Sequence, residues 1–170
     1  MKKFLQTALV SFVSLSIACG DAGSEGDASA TDTSAMSSTE STPAPANPVM
    51  TKTIQLSASE EVPANNSTGT GTADVTYNKD TKTLTYSINY SGLTGDATMA
   101  HIHGTAAKGS NAGVAHDLTG VLKKAASGNF TDSVKIGDKI KEDSLLTGFY
   151  YFNIHTKKNP GGEIRGQIEF

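Results

Sequence analysis

Four histidines are the side chains in this chain best suited to hold a metal ion. His101 and His103 are one residue apart in the stretch Ala100-His101-Ile102-His103-Gly104. On an extended strand, residues i and i+2 project from one face about 6–7 Å apart, so these two imidazoles can converge on one ion. Ala100 and Ile102 then face the core and both histidines face outward. Residues 150–156 repeat the pattern, with Tyr150, Phe152 and Ile154 inward and Tyr151, Asn153 and His155 outward. If the two strands are neighbours, His101, His103 and His155 form one surface site whose imidazoles suit copper or zinc. A structural alternative has the same histidines hydrogen-bonded to loop carbonyls and to Asn153 and Arg165. His116 alternates with Val114 and Leu118, which turns this fourth candidate ligand toward the core. Glu163, Arg165, Gln167 and Glu169 share one face of the last strand. They either shape a polar, anion-binding patch beside His155 or form a solvated face, with a Glu163–Arg165 pair worth under about 1 kcal/mol.

Other chemistry has less to work with. The single cysteine, Cys19, rules out an intrachain disulfide and any multi-thiolate zinc or iron–sulfur site. No serine lies in a nucleophile-elbow pattern and no phosphate-binding or dinucleotide fingerprint is present, so no catalytic residue is assigned and a non-enzymatic role is expected. A net charge of −3 argues against nucleic acid as a partner. Three sequons, at Asn65, Asn66 and Asn129, are by spelling alone and carry no role here.

The elements that must position the histidines read as strands. In residues 52–170, apolar and polar residues alternate and turn residues recur every eight to twelve positions, the pattern of an antiparallel β-sandwich of Ig-like or Greek-key type. About eight strands are expected, near 52–58, 72–77, 83–90, 98–103, 113–118, 129–136, 148–156 and 163–170, with one helical turn in 138–146. Residues 78–82 read as a hairpin loop. Gly161-Gly162 after Pro160 reads as a tight turn, and Gly166, inside the last strand, marks a bulge or a close backbone approach.

The first 51 residues have a different composition. Residues 1–18 read as an export signal, with Lys2 and Lys3 ahead of an apolar stretch too short to span a membrane. Leu15-Ser16-Ile17-Ala18-Cys19 resembles a bacterial lipoprotein box, although Ser16 stands where an apolar residue is usual. That resemblance implies cleavage before Cys19 and lipidation of its thiol, hence a membrane partner and a place in the bacterial cell envelope, periplasmic or surface-exposed. The segment 19–51 carries five acids and no base. Of residues 20–51, 23 are Ser, Thr, Ala, Gly or Pro, so it reads as a disordered tether reaching about 30 Å.

Several motifs in residues 54–170 resemble the CHRD domain of chordin, a module also common in bacterial envelope proteins. They are Leu56-Ser57-Ala58-Ser59-Glu60-Glu61-Val62-Pro63, Ser91-Gly92-Leu93-Thr94, Ala100-His101-Ile102-His103-Gly104, Asn153-Ile154-His155-Thr156, and the run from Asn159-Pro160-Gly161-Gly162 through Glu163-Ile164-Arg165-Gly166-Gln167-Ile168. His116 departs from the family, which more often has an apolar residue before Asp-Leu. The resemblance implies an Ig-like sandwich and no settled activity. The H-x-H strand after a Gly-Leu-Thr turn is also locally similar to copper–zinc superoxide dismutases, but this chain lacks their two disulfide cysteines, zinc loop and substrate-guiding arginine loop. The expected function is therefore a tethered, non-enzymatic module that binds a protein or small ligand or has a structural role. A copper- or zinc-binding protein is the alternative, and a dismutase-like copper enzyme a second one.

Overall fold

The computed structural model describes residues 48–170. The export signal, Cys19 and nearly all of the tether lie outside the described residues. Eight strands follow in order: β1 (Val49–Ser57), β2 (Thr70–Asn78), β3 (Thr83–Ser91), β4 (Ala97–Gly104), β5 (Val114–Asp117), β6 (Gly128–Lys135), β7 (Tyr150–Thr156) and β8 (Ile164–Gln167). One short helix, α1 (Glu142–Leu146), falls within the expected helical segment. β1 starts three residues before the expected domain boundary at 52, because Val49, Met50 and Thr51 pair with Asn78, Tyr77 and Thr76.

All strand pairings are antiparallel and form one continuous sheet in the order β5-β4-β7-β8-β1-β2-β3-β6. The sheet curls so that its two four-stranded halves face each other, which makes the sandwich. The connections β3–β4, β5–β6 and β6–β7 each cross from one half to the other. Alternation explains the core: Ala73, Val75 and Tyr77 of β2 and Leu84, Tyr86, Ile88 and Tyr90 of β3 are buried, as are Ala100 and Ile102 of β4 and Tyr150, Phe152 and Ile154 of β7. The rings of Tyr86 and Phe152 meet across the middle, 5.4 Å apart and tilted by 60°. The β2–β3 hairpin closes as its sequence suggests, with Asn78 Oδ1 accepting from the backbone amides of Asp80 and Thr81.

The two halves join through a narrow seam, where β1 pairs with β8 only at Ser57 and Arg165. Gly166 allows this close approach: a Cβ there would lie 2.6 Å from the carbonyl oxygen of Gln55 and 2.9 Å from a methyl of Ile54. The expectation of a bulge or a close approach at Gly166 resolves as the second. Gly166→Ala should therefore lower stability by about 1–3 kcal/mol through overpacking against backbone, read as a lower urea midpoint. Gly95→Ala, which meets nothing within 4 Å, should leave the midpoint unchanged. Equal midpoints for both variants would mean that the seam is not tight.

Candidate metal centre

β4 and β7 are neighbours, with His101 opposite Asn153 and His103 opposite Tyr151. His155 follows Asn153 by two residues and so lies on the same face, one pleat along. The register thus assembles the three histidines that alternation had placed on two separate strands. One ring nitrogen from each lies within 4.8 Å of the others. His101 Nδ1 is 3.0 Å from His155 Nε2, and the ring centroids form a triangle of 4.9, 5.3 and 5.8 Å. Three nitrogens bound at about 2.0–2.1 Å to a tetrahedral ion sit roughly 3.4 Å apart, so small side-chain rotations bring this set onto one centre.

Backbone carbonyls orient two of the rings. His155 Nδ1 is 3.0 Å from the carbonyl of Pro160, and His103 Nδ1 is 3.0 Å from that of Ala112. A carbonyl only accepts, so each Nδ1 carries the proton and each Nε2 keeps its lone pair. His103 Nε2 is buried and has no protein partner. His155 Nε2 faces His101 Nδ1, which therefore donates to it. On the far side of His101, Nε2 lies 3.7 Å from Asp117 Oδ1, a carboxylate placed to face a proton on Nε2 in the tautomer that leaves Nδ1 bare. Burial holds the pKa of all three imidazoles below the ordinary value of 6.5. The Asp117 charge opposes the shift at His101, the Ala112 carbonyl opposes it at His103, and His155 falls to about 4 despite the Pro160 carbonyl. All three rings are neutral at pH 7, the form that ligates.

The surroundings depart from the expected open surface. Tyr151, Asn153 and His155 do face away from the core, but they are buried, with His155 only 4% exposed. Glu163, Arg165 and Gln167 are buried as well, while Glu169 remains exposed. Three loops cover this face. Residues 61–69 bring Glu61, whose Oε2 accepts from Asn153 Nδ2, and Ser67, which donates to Glu163. Residues 105–113 supply the carbonyls of Ala106, Ser110 and Ala112. Residues 157–162 supply Pro160. A face read from alternation alone looks solvated because alternation does not register loops that fold back over a sheet.

Glu163 and Arg165 do not pair with each other. Arg165 donates to Asn111 Oδ1, the Ser110 carbonyl and Gln167 Oε1, and its guanidinium lies 3.4 Å from the centre of the Tyr151 ring. Tyr151 also stacks on His103 at 5.0 Å. Glu163 accepts from Ser67 Oγ, the Thr94 amide and hydroxyl, and Thr156 Oγ1. His116 stands opposite Ile102, beside a register shift between β4 and β5, half-buried rather than turned into the core and outside the imidazole triangle. Among the described residues, sequence reasoning missed Glu61, whose burial lifts its carboxyl to about 7 against the Arg165 charge and the Asn153 hydrogen bond. Period-2 alternation assigns no role to a residue where a strand gives way to a loop, and only its place in the motif ending Glu61-Val62-Pro63 marks it in the sequence.

Burial by itself would raise the Glu163 pKa, but the hydrogen bonds from Ser67, Thr156 and Thr94 outweigh it and hold the carboxyl at about 2, below the ordinary 4.5. Because the folded value is the lower one, this stabilisation is full above pH 4.5 and is lost as the pH falls toward 2. Glu163→Gln should cost about 1–3 kcal/mol at pH 7 by leaving buried donors poorly paired. The difference from the unmodified protein should shrink as the pH is lowered through that window, measured by urea unfolding at a series of pH values. A difference that stays constant from pH 7 to pH 2.5 would contradict the buried, ionised carboxylate.

Comparison with known families places these elements together. The family model of the CHRD domain matches residues 52–168. No curated protein and no solved structure gives a significant match. The match takes in every strand from the greater part of β1 to β8, the three histidines of the triangle and the loops that cover them. The chain belongs to the CHRD domain family.

Proposed function

We propose that this CHRD domain is a metal-holding module of the bacterial cell envelope, tethered by a lipid on Cys19, that binds one transition-metal ion through His101, His103 and His155. The observation that carries the reading is the convergence of three neutral imidazoles, two of them oriented by backbone carbonyls. Three nitrogen ligands suit copper first and zinc second, since copper(II) outranks zinc for nitrogen donors. The reading is one of binding, not catalysis. Glu163 and Arg165 hold loops in place, and the only described carboxylate beside a ligand ring, Asp117, is exposed and serves that ring's proton.

Calorimetric titration of the purified full chain with Cu²⁺ and Zn²⁺ tests the site. One ion should bind per chain. His101→Ala and His155→Ala should each weaken binding by more than the roughly 10–100-fold typical of losing an outer partner, and His116→Ala should leave it unchanged. Because protons compete for the ligand nitrogens, affinity should fall as the pH drops. Burial lowers the three pKa values, so the fall should begin below pH 6.5, the value for free imidazole. Binding no tighter than that of an unrelated histidine-bearing domain would overturn the reading.

The tether has its own test. Radiolabelled fatty acid should enter the intact protein in a bacterial host and be absent from Cys19→Ala. Equal labelling of both, or labelling of neither, would contradict the lipid anchor.

A further inference from the structure

β4 carries a fourth donor on the face of its histidines. Met99, His101 and His103 are spaced two residues apart on one strand, and Met99 stands directly opposite His155 in the β4–β7 ladder. Residues so paired have Cβ atoms about 4.5–5.5 Å apart. The placement depends on a local irregularity. Ala97 and Ala100 are both buried although they are three positions apart, so strict alternation fails between them. The register shift between Ala97 and Met99 supplies the change of face. It turns Met99, His101 and His103 outward together, and Thr98 Oγ1 pins it by donating to the His155 carbonyl. Met99 is 39% exposed, one of few large apolar side chains left in water among the described residues. Its flexible thioether thus belongs to the strand face of the three imidazoles, at the position paired with His155.

We propose that Met99 is the fourth ligand of the three-histidine centre and that the ion the site is built for is copper, including copper(I). A thioether is a soft, uncharged donor that favours copper(I) and adds little for zinc. With three neutral imidazoles it makes an all-neutral ligand set, which lowers the cost of holding a monovalent ion in a partly buried site. The assignment rests on the three-histidine reading and extends it from a general transition-metal site to a copper site.

The test uses the purified full chain carrying Cys19→Ser, so that the lone thiol does not compete for copper(I). Copper(I) affinity is measured by competition with bicinchoninate, and zinc affinity by calorimetry. Met99→Leu keeps the volume and hydrophobicity of the side chain and removes the sulfur. It should weaken copper(I) binding tenfold or more while shifting zinc affinity less than threefold, and Met50→Leu should change neither. X-ray absorption at the copper edge should show a sulfur neighbour near the ~2.3 Å of metal–sulfur bonds, lost in Met99→Leu. Unchanged copper(I) affinity in Met99→Leu, or no sulfur shell in the parent, would overturn the role of Met99 while leaving the histidine site standing. Failure of the parent to bind either metal would overturn both readings.

Discussion

The outer face of β7 and β8 must bury a row of polar side chains, and the arrangement of the domain's loops follows from pairing them. His155, Asn153, Glu163, Arg165 and Gln167 are all buried on the side away from the apolar core. An unpaired buried polar group costs several kcal/mol, and an unpaired buried charge more. The loops at 61–69, 105–113 and 157–162 supply most of the partners, Ser67 for Glu163, Ser110 and Asn111 for Arg165, Ala106 for Gln167 and Pro160 for His155, and the connections before β4 and β7 add Thr94 for Glu163 and Gly148 for Gln167. These contacts reach across long stretches of chain, so the buried face organises the whole sheet half.

The same constraint prepares the imidazoles. A carbonyl that pairs with a ring nitrogen also decides which nitrogen keeps its lone pair. Ala112 and Pro160 thus satisfy His103 and His155 and, in doing so, aim two unprotonated nitrogens into one space beside His101. The hydrogen bonds to loop carbonyls, which a purely structural reading of these histidines expects, are the same contacts that leave their Nε2 lone pairs bare. Gly162 is part of this device. It adopts φ 138°, and a Cβ there would collide with the Asn153 amide and with Glu61, so only glycine lets the 157–162 loop close over β7.

Much of this was legible in the residues. The strands fall close to where alternation put them, because inward positions such as Leu84, Tyr86 and Ile88 have no other way to leave water. The His101, His103 and His155 grouping was readable up to one condition, the adjacency of β4 and β7, which is a property of topology and not of either strand alone. Three features were not legible. The burial of Arg165 and Glu163 depends on loops distant in sequence. The position of His116 depends on a register shift between β4 and β5. Met99 shares the histidines' parity, yet a lone methionine ahead of them gives no sign of whether the strand keeps its face or a bulge changes it.

The central claim is that the loop carbonyls set which nitrogen of His103 and of His155 bears the proton. Long-range ¹H–¹⁵N correlation spectra of the imidazole rings in the metal-free protein at neutral pH test it most directly, because they report which nitrogen of each ring bears the proton. The account predicts neutral His103 and His155 protonated on Nδ1 and bare on Nε2. Spectra showing either ring protonated on Nε2, exchanging between both tautomers, or present as imidazolium would contradict it.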